Sequence, residues 1–361
     1  MKRAATYVLY ATIPVALYIQ FTHRSLVWLF IFASLAILPL AAWIGASTEQ
    51  LAHRMGATAG ALFNATFGNF AEMVIAIFAI RAGLPDVVRA SFSGSVVGNL
   101  LFVAGASMVA GGWKHQTLKF NALAAESQAG QMILAVSAAL VPALFFRSVA
   151  RAHRPSLIHP VSIGTSIILL IVYILGFFFS FKTHRDALAA EATPEPKSEE
   201  ETWPISRAVL LLAVASVLTG TVAEGLVHAV HEAGHAWGMN EIFLGFVVLA
   251  IVGNAAEHST AVFLAMRNQM DTALNIAMQS SVQIALFVTP VMVFLSYPLG
   301  HPLDLLFTPI ELLASGIAVA IFAYLVMDGE TKWYEGIQLL AVYAIIAVAL
   351  YFLPASATAP H

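Results

Sequence analysis

Long apolar runs separated by short polar breaks dominate this chain of 361 residues. Eleven windows of about 20 mostly apolar residues lie near 6–21, 26–46, 58–82, 90–111, 128–147, 160–181, 205–226, 242–266, 272–297, 303–327 and 335–354. A helix of that length crosses a hydrocarbon core of about 30 Å. The pattern therefore predicts an all-α polytopic membrane protein with about eleven transmembrane helices. One long polar stretch interrupts it, THRDALAAEATPEPKSEEETWP at 183–204, rich in acid and proline. Such composition cannot build a core, so it reads as a solvated linker, or as an acidic segment that weakly collects cations.

The polar positions inside the apolar runs repeat. ALFNATFGNFAEMVIAIFAI begins at residue 61 and FVVLAIVGNAAEHSTAVFLA at 246, and an offset of 185 superimposes Gly68, Asn69, Ala71 and Glu72 on Gly253, Asn254, Ala256 and Glu257. The same offset carries Asp86 to Asp271, Ser95 to Ser280 and Glu126 to Glu311. Glu49 and His53 match Glu224 and His228 at an offset of 175, so the second copy holds a ten-residue insertion. Carboxylates within apolar sequence are where chance agreement is least expected. The chain divides into an N-terminal helix at 1–25, a five-helix repeat at 26–182, the linker at 183–204, a second five-helix repeat at 205–354 and a tail at 355–361. Five is odd, so the second repeat enters the membrane from the other side, an inverted architecture that recurs in secondary transporters.

Composition narrows the picture further. Residues are 60% hydrophobic and only 10% charged, against roughly 25% charged in soluble domains. Without cysteine there is neither disulfide scaffold nor thiolate metal site. Lys2-Arg3 precedes an apolar stretch with no convincing cleavage site, which favours a retained helix over a signal peptide. Eleven Lys and Arg fall on the side of the N-terminus and six on the other, so the positive-inside rule predicts a cytoplasmic N-terminus; the expected location is a prokaryotic plasma membrane.

Within each GN-x-x-E block, Asn and Glu lie three apart on one helical face, Asn69 with Glu72 and Asn254 with Glu257, and His258 joins the second. A carboxylate in mid-membrane is costly unless paired, coordinated or protonated. Ser95 and Asn99 in the fourth window, and Ser280 and Gln283 in the ninth, add neutral polar groups; interhelical hydrogen bonding is their other reading. Two carboxylates with amide, hydroxyl and carbonyl oxygens suit a hard divalent cation such as Ca²⁺ at Glu72 and Glu257. Without the cation, burial and mutual repulsion favour protonation, so cation and protons compete for one site, and alternating exposure of that site gives antiport. The plainer alternative is that both glutamates pair with His or Lys to hold helices together. Glu126 and Glu311 are candidates for gating or proton passage. Glu49 and Glu224 lie near segment ends, where snorkelling is the plain reading and attraction of cations to the two mouths the functional one.

His231-Glu232-Ala233-Gly234-His235 fits H-E-x-x-H, the zinc-protease pattern. Gly238 and Glu241 extend the match, yet it lies at the insertion, is absent from the first repeat and holds Gly234 where the motif needs helix. It reads as a polar loop between the seventh and eighth windows.

At GNFAEMVIAIFAI (68–80), GNAAEHSTAV (253–262), GSVVGNLLFV (94–103), QSSVQIALFV (279–288) and STEQLA (47–52) the chain resembles the calcium/proton exchanger family of the cation/calcium antiporter superfamily. Phe70, Met73 and the HEAGH insertion depart from the family pattern. The resemblance implies an eleven-helix carrier that exports Ca²⁺ against entering protons. Glu72 and Glu257 would carry the ion, assisted by Asn69, Asn254, His258, Ser95, Ser280 and Gln283. It implies Ca²⁺ and H⁺ as transported partners, no cofactor and no catalytic residue; lipid is the surrounding, nucleic acid is not expected, and a homo-oligomer is compatible. The rivals are a monovalent cation/proton antiporter and an intramembrane zinc protease using His231, Glu232 and His235; nothing filter-like supports a channel.

Overall fold

The computed structural model describes residues 2–55, 57–151, 155–179 and 203–354. The expected linker, save Trp203 and Pro204, and the tail at 355–361 lie outside the described residues. Among the described residues twelve α-helical units follow one another: α1 Lys2–Phe21, α2 Leu26–Met55, α3 Ala57–Gly68, α4 Phe70–Arg81, α5 Pro85–Gly112, α6 Ala122–Arg151, α7 Ile158–Phe178, α8 Ile205–Trp237, α9 Glu241–Ala265, α10 Met270–Ser296, α11 Pro309–Leu325 and α12 Trp333–Tyr351. Among the described residues, eight are long and apolar enough to cross a membrane, and α1 and α11 include shorter apolar helices. The chain is a multi-pass integral membrane protein.

The helices pack as the duplication requires. The first helices of the repeats, α2 and α8, run against each other, and α8 touches α4 as α2 touches α9. Late α5 packs on α12 and late α10 on α7; α6 lies on α10 and α11 on α5. Each of these contacts recurs with the repeats exchanged, as a pair related by a two-fold axis demands. α5 and α10 are enclosed, whereas α6, α7 and α12 turn most of their apolar surface outward. Strand β1, Leu118–Lys119, pairs antiparallel with β2, Glu330–Thr331, so the α5–α6 and α11–α12 connections lie on one side.

Local geometry repeats too. A π-helical stretch occupies Gly98–Val103 in α5 and Ile284–Val288 in α10, the same place once the offset of 185 is applied. A π turn inserts a residue and re-aims its neighbours, a device common at functional sites. α9 has its own π stretch at Leu244–Leu249. Its counterpart in the first repeat is instead broken.

Three expectations need correction. The window 58–82 is two helices of 12 residues each that meet at Asn69, because Gly68-Asn69 supplies weak helix formers at a point where Asn69 turns to another helix. The window 303–327 starts as a coil, and α11 begins only at Pro309 behind a Thr308 N-cap; Leu303 and Leu305 read as helix because they are buried coil residues. The HEAGH motif is helix and not loop: Gly234 lies inside α8, which continues to Trp237. The helix stops at Gly238, whose φ of 66° suits glycine, with Met239 N donating to Gly234 O at 2.9 Å in the usual left-handed cap.

Candidate cation site

Glu72 and Glu257 face each other through the glycines of the opposite repeat. A Cβ built on Gly253 would lie 2.8 Å from Glu72 Cγ, and one on Gly68 would lie 3.7 Å from Glu257 Oε1. Each G-N-x-x-E block thus presents its glycine to the other block's carboxylate, and at Gly253 the approach is one that only a missing side chain allows. Glu72 sits in the first turn of α4, directly after the break, where the N-terminal end of a helix favours negative charge. The two carboxylates are close enough to repel each other.

The neighbouring helices supply the polar groups. Ser95 Oγ on α5 donates to Glu72 Oε1 at 2.5 Å, and Asn254 Nδ2 on α9 donates to the same oxygen at 2.6 Å. Asn254 Nδ2 also reaches Ser95 Oγ at 2.9 Å and Ala250 O at 3.0 Å. Ser280 on α10 neighbours the Glu257 carboxylate and donates to Asn254 Oδ1 at 3.4 Å. Asn99 Nδ2 donates to Ser280 Oγ at 3.1 Å, and Asn99 Oδ1 accepts from His258 Nε2 at 2.9 Å. Asn69 Nδ2 donates to Gln283 Oε1 at 2.7 Å. All nine residues named from the sequence thus meet in one place. Eight are buried and Glu257 is half-buried.

Glu72 Oε2 and Glu257 Oε2 are buried without a hydrogen-bond partner. An unmet carboxylate oxygen in low dielectric is costly, and a bound cation or a proton satisfies it. A cleft of about 750 Å³ leads to Glu257, lined by Glu49 and His53 on α2, Gly60 and Asn64 on α3, and Gly68, Gly253, Glu257 and Thr260. Its mouth lies where α2 ends and α3 begins; its floor is Glu257. Glu72 stays behind that floor.

The remaining candidates scatter. Glu49 is exposed at the mouth, 3.8 Å from His53. Glu224 is exposed on α8, and Glu126 is exposed at the start of α6. Glu311, aligned with Glu126, is buried at 1% exposure, and its Oε2 accepts from Thr308 N at 2.6 Å and Thr308 Oγ1 at 2.7 Å in a capping box. On the HEAGH segment, His231 Nδ1 lies 3.1 Å from Glu241 Oε1, and the His231 and His235 ring centroids are 4.8 Å apart. Among the described residues no three His, Asp or Glu side chains form a metal-holding group.

Arg89, buried on α5, binds both Asp86 and Asp304. Sequence reading passed over this cluster because the offset of 185 takes Arg89 to Leu274 and Asp304 back to Lys119. An arginine three residues after an aspartate, at the edge of an apolar window, was the available signal.

The profile of the sodium/calcium exchanger protein family matches residues 25–182 and 207–352, which brackets both repeats and leaves out the first helix and the linker. The chain belongs to that family. Among relatives of this exchanger, the Ca²⁺/H⁺ antiporter of Synechocystis sp. is 41% identical over 340 residues, covering 90% of this chain and 91% of that protein. The Ca²⁺/H⁺ antiporter ChaA of Bacillus subtilis is 37% identical over 355 residues, covering 98% of this chain and all of that one, 100%. The structure of native YfkE superimposes with a TM-score of 0.83 at 35% identity, covering 96% of this chain and 100% of that chain. The H⁺/Ca²⁺ exchanger CAX gives a TM-score of 0.74 at 13% identity, covering 99% of this chain and 90% of that one, a likeness of fold alone.

Proposed function

We propose that this chain exchanges Ca²⁺ for protons across a membrane by alternating access, with Glu72 and Glu257 as the shared site. The observation that carries the reading is the pair of buried, unpartnered carboxylate oxygens, one on Glu257 lining the cleft and one on Glu72 behind it, each glutamate abutting the other repeat's glycine. The names of relatives spanning nine-tenths or more of the chain agree with it.

In the conformation with the cleft open, Glu257 meets ions first. Ca²⁺ loses water to carboxylate and neutral oxygens, for which it takes six to eight ligands; Glu72, Glu257, Asn69, Asn254, Ser95, Ser280 and Gln283 are the groups within reach, and Asn99 with His258 orients Ser280. The hydrogen bonds on Glu72 Oε1 leave Oε2 to the ion. After a change of access, protons replace Ca²⁺ on the same carboxylates. Two protons per Ca²⁺ keep the charge of the site constant. A single Na⁺ or K⁺ leaves one charge uncompensated, which ranks monovalent exchange second. The ions are cargo; the reading needs no resident cofactor, and it assigns the chain no enzymatic step.

In this reading the units are 26–182 and 205–354, preceded by an extra helix, with the N-terminus and the linker in the cytoplasm of a prokaryotic cell and the cleft facing that side. The pairing of β1 with β2 supports the alternation of sides, as do the contacts of Gln50 and Arg54 with Trp203. Export of Ca²⁺ follows from that orientation and an inward proton gradient. The test is Ca²⁺ flux into vesicles driven by an imposed pH gradient, compared with Na⁺ and K⁺. Coupled Ca²⁺ movement that is lost in Glu72→Gln and in Glu257→Gln supports the reading; unchanged flux in either variant, or flux of Na⁺ or K⁺ alone, overturns it.

A further inference from the structure

The outward face of α8 changes character halfway along. Over residues 208–221 its exposed residues are Val209, Leu210, Ala213, Val214 and Val217, the kind of face a helix shows to lipid. From Val222 to His235 the exposed residues are Glu224, His228, His231, Glu232 and His235, every one of them ionisable, and all the others are buried. Glu224, His228, His231 and His235 follow at spacings of four, three and four, which lines them up on one side of the helix. The outer members also meet. The rings of His231 and His235 have centroids 4.8 Å apart, and His231 Nδ1 is 3.1 Å from Glu241 Oε1 at the start of α9.

This half of α8 lies at membrane depth. α12 has 19 residues, about 28 Å of helix and just enough to cross, and at its end Leu350 O and Leu353 O accept from Asn240 Nδ2 at 2.7 and 3.1 Å. Trp237 meets Phe30, one turn into α2, with ring centroids 5.7 Å apart. The end of α8 is therefore level with the ends of two spanning helices. It lies on the side opposite the cleft, since α8 starts where Trp203 contacts Gln50 and Arg54 near the mouth. Counted back from Trp237 along the helix, His235 lies about 3 Å, His231 about 9 Å, His228 about 14 Å and Glu224 about 20 Å in. Imidazole and carboxylate side chains are too short to reach the surface from the deeper positions, and ionisable groups at such depth face water or protein, not lipid.

The duplication decides for water. Glu49 and His53 line the open cleft, and the offset of 175 carries them to Glu224 and His228. In an inverted pair, equivalent positions line equivalent passages on opposite sides. α8 packs on α4, the helix of Glu72, as α2 packs on α9, the helix of Glu257. Residues 54–67, the corresponding stretch of the first repeat, hold no histidine, so His231 and His235 belong to the far side alone.

We propose that the far half of α8 borders an aqueous vestibule through which protons reach the central glutamates, with Glu224, His228, His231 and His235 as the groups that pass them. An imidazole accepts a proton at one ring nitrogen and gives one up at the other, so a row of them moves protons and consumes none. Glu241 is the ionisable group that meets the row from another element; Gln20 and Phe30, which approach this half of α8 from α1 and α2, are neutral. The use of the protons rests on the antiporter reading, and the wetting of the face is tested without transport.

The chain has no cysteine, so single-cysteine variants of the full-length protein in liposomes report one position at a time. A charged, membrane-impermeant methanethiosulfonate applied from the side opposite the cleft reacts with Glu224→Cys, His228→Cys and His231→Cys at least about tenfold faster than with Val217→Cys or Ile345→Cys, because a wetted thiol ionises and a lipid-facing one does not. Ile345 is exposed on α12 six residues from its end, at the depth of His231. Equal rates, or no reaction at Glu224→Cys and His228→Cys, overturns the proposal. For the proton role, His231→Gln combined with His235→Gln raises the far-side proton concentration for half-maximal Ca²⁺ flux about fivefold and leaves the Ca²⁺ dependence on the cleft side unchanged. An unchanged proton dependence, or an equal shift in both, is the contrary result. A dry face with antiport intact sinks this proposal only, whereas flux that survives Glu72→Gln and Glu257→Gln sinks the antiporter reading.

Discussion

Asn254 is the residue through which the two repeats hold one carboxylate in place. Its amide donates to Glu72 Oε1, to Ser95 and to its own helix. Hydrogen bonds to charged groups contribute about 1.5–3 kcal/mol each, so Asn254→Ala should weaken Ca²⁺ binding roughly ten- to hundredfold, read as the apparent affinity in equilibrium titration. The glycines give a sharper contrast. Gly253→Ala drives a methyl to 2.8 Å from Glu72 Cγ, whereas Gly68→Ala makes an ordinary 3.7 Å contact with Glu257. Gly253→Ala should therefore lose most transport while the protein still folds, and Gly68→Ala should keep it; equal effects in a flux assay would contradict this geometry. Most of the site was legible in the chain because packing alone seldom places duplicated Glu, Asn and Ser inside apolar sequence. The unlike behaviour of Glu126 and Glu311 was not, since alignment says nothing of which copy is covered. Nor was Asp304, a lone acid in a coil whose partner Arg89 arrives from 215 residues away.

At the scale of helices, the close crossing of α5 and α9 sets how near the repeats come. A Cβ on Gly94 would fall 1.9 Å from Phe246 O, a backbone atom that cannot step aside. Overpacking costs about 1–3 kcal/mol even among side chains, so Gly94→Ala should lower thermal stability by at least that order, measured by unfolding in detergent. An unchanged midpoint would mean that the two helices can separate there at little cost. The apolar windows located the helices because lipid-crossing length is a strong signal. Their irregularities were hidden: the break at Asn69, whose amide turns to Gln283 on another helix, and the π stretches in α5, α9 and α10 leave no mark in hydropathy. Gly234 misled in the opposite direction. A glycine enclosed by Met239 and Leu244 is a packing choice inside a helix, and HEAGH continues α8.

For the whole molecule, one pair of glutamates serving two kinds of ion makes coupling a matter of exclusion. Apparent Ca²⁺ affinity must then fall as the proton activity on the same side rises, and the imposed gradient of either ion must drive the other. The inverted arrangement was visible from the odd number of segments per repeat, and the exchange of contacts between α2–α9 and α8–α4 carries it through. What the chain could not reveal was the conformation, with a cleft reaching Glu257 past the end of α2 and the start of α3, because both states are built from the same residues. The most direct measurement is proton release on Ca²⁺ binding, made by adding Ca²⁺ to the purified protein in weakly buffered detergent solution. The account predicts protons released in proportion to Ca²⁺ bound, with both binding and release lost in Glu72→Gln and in Glu257→Gln. Tight Ca²⁺ binding with no proton released, or release that persists in either variant, would contradict a site shared by the two ions.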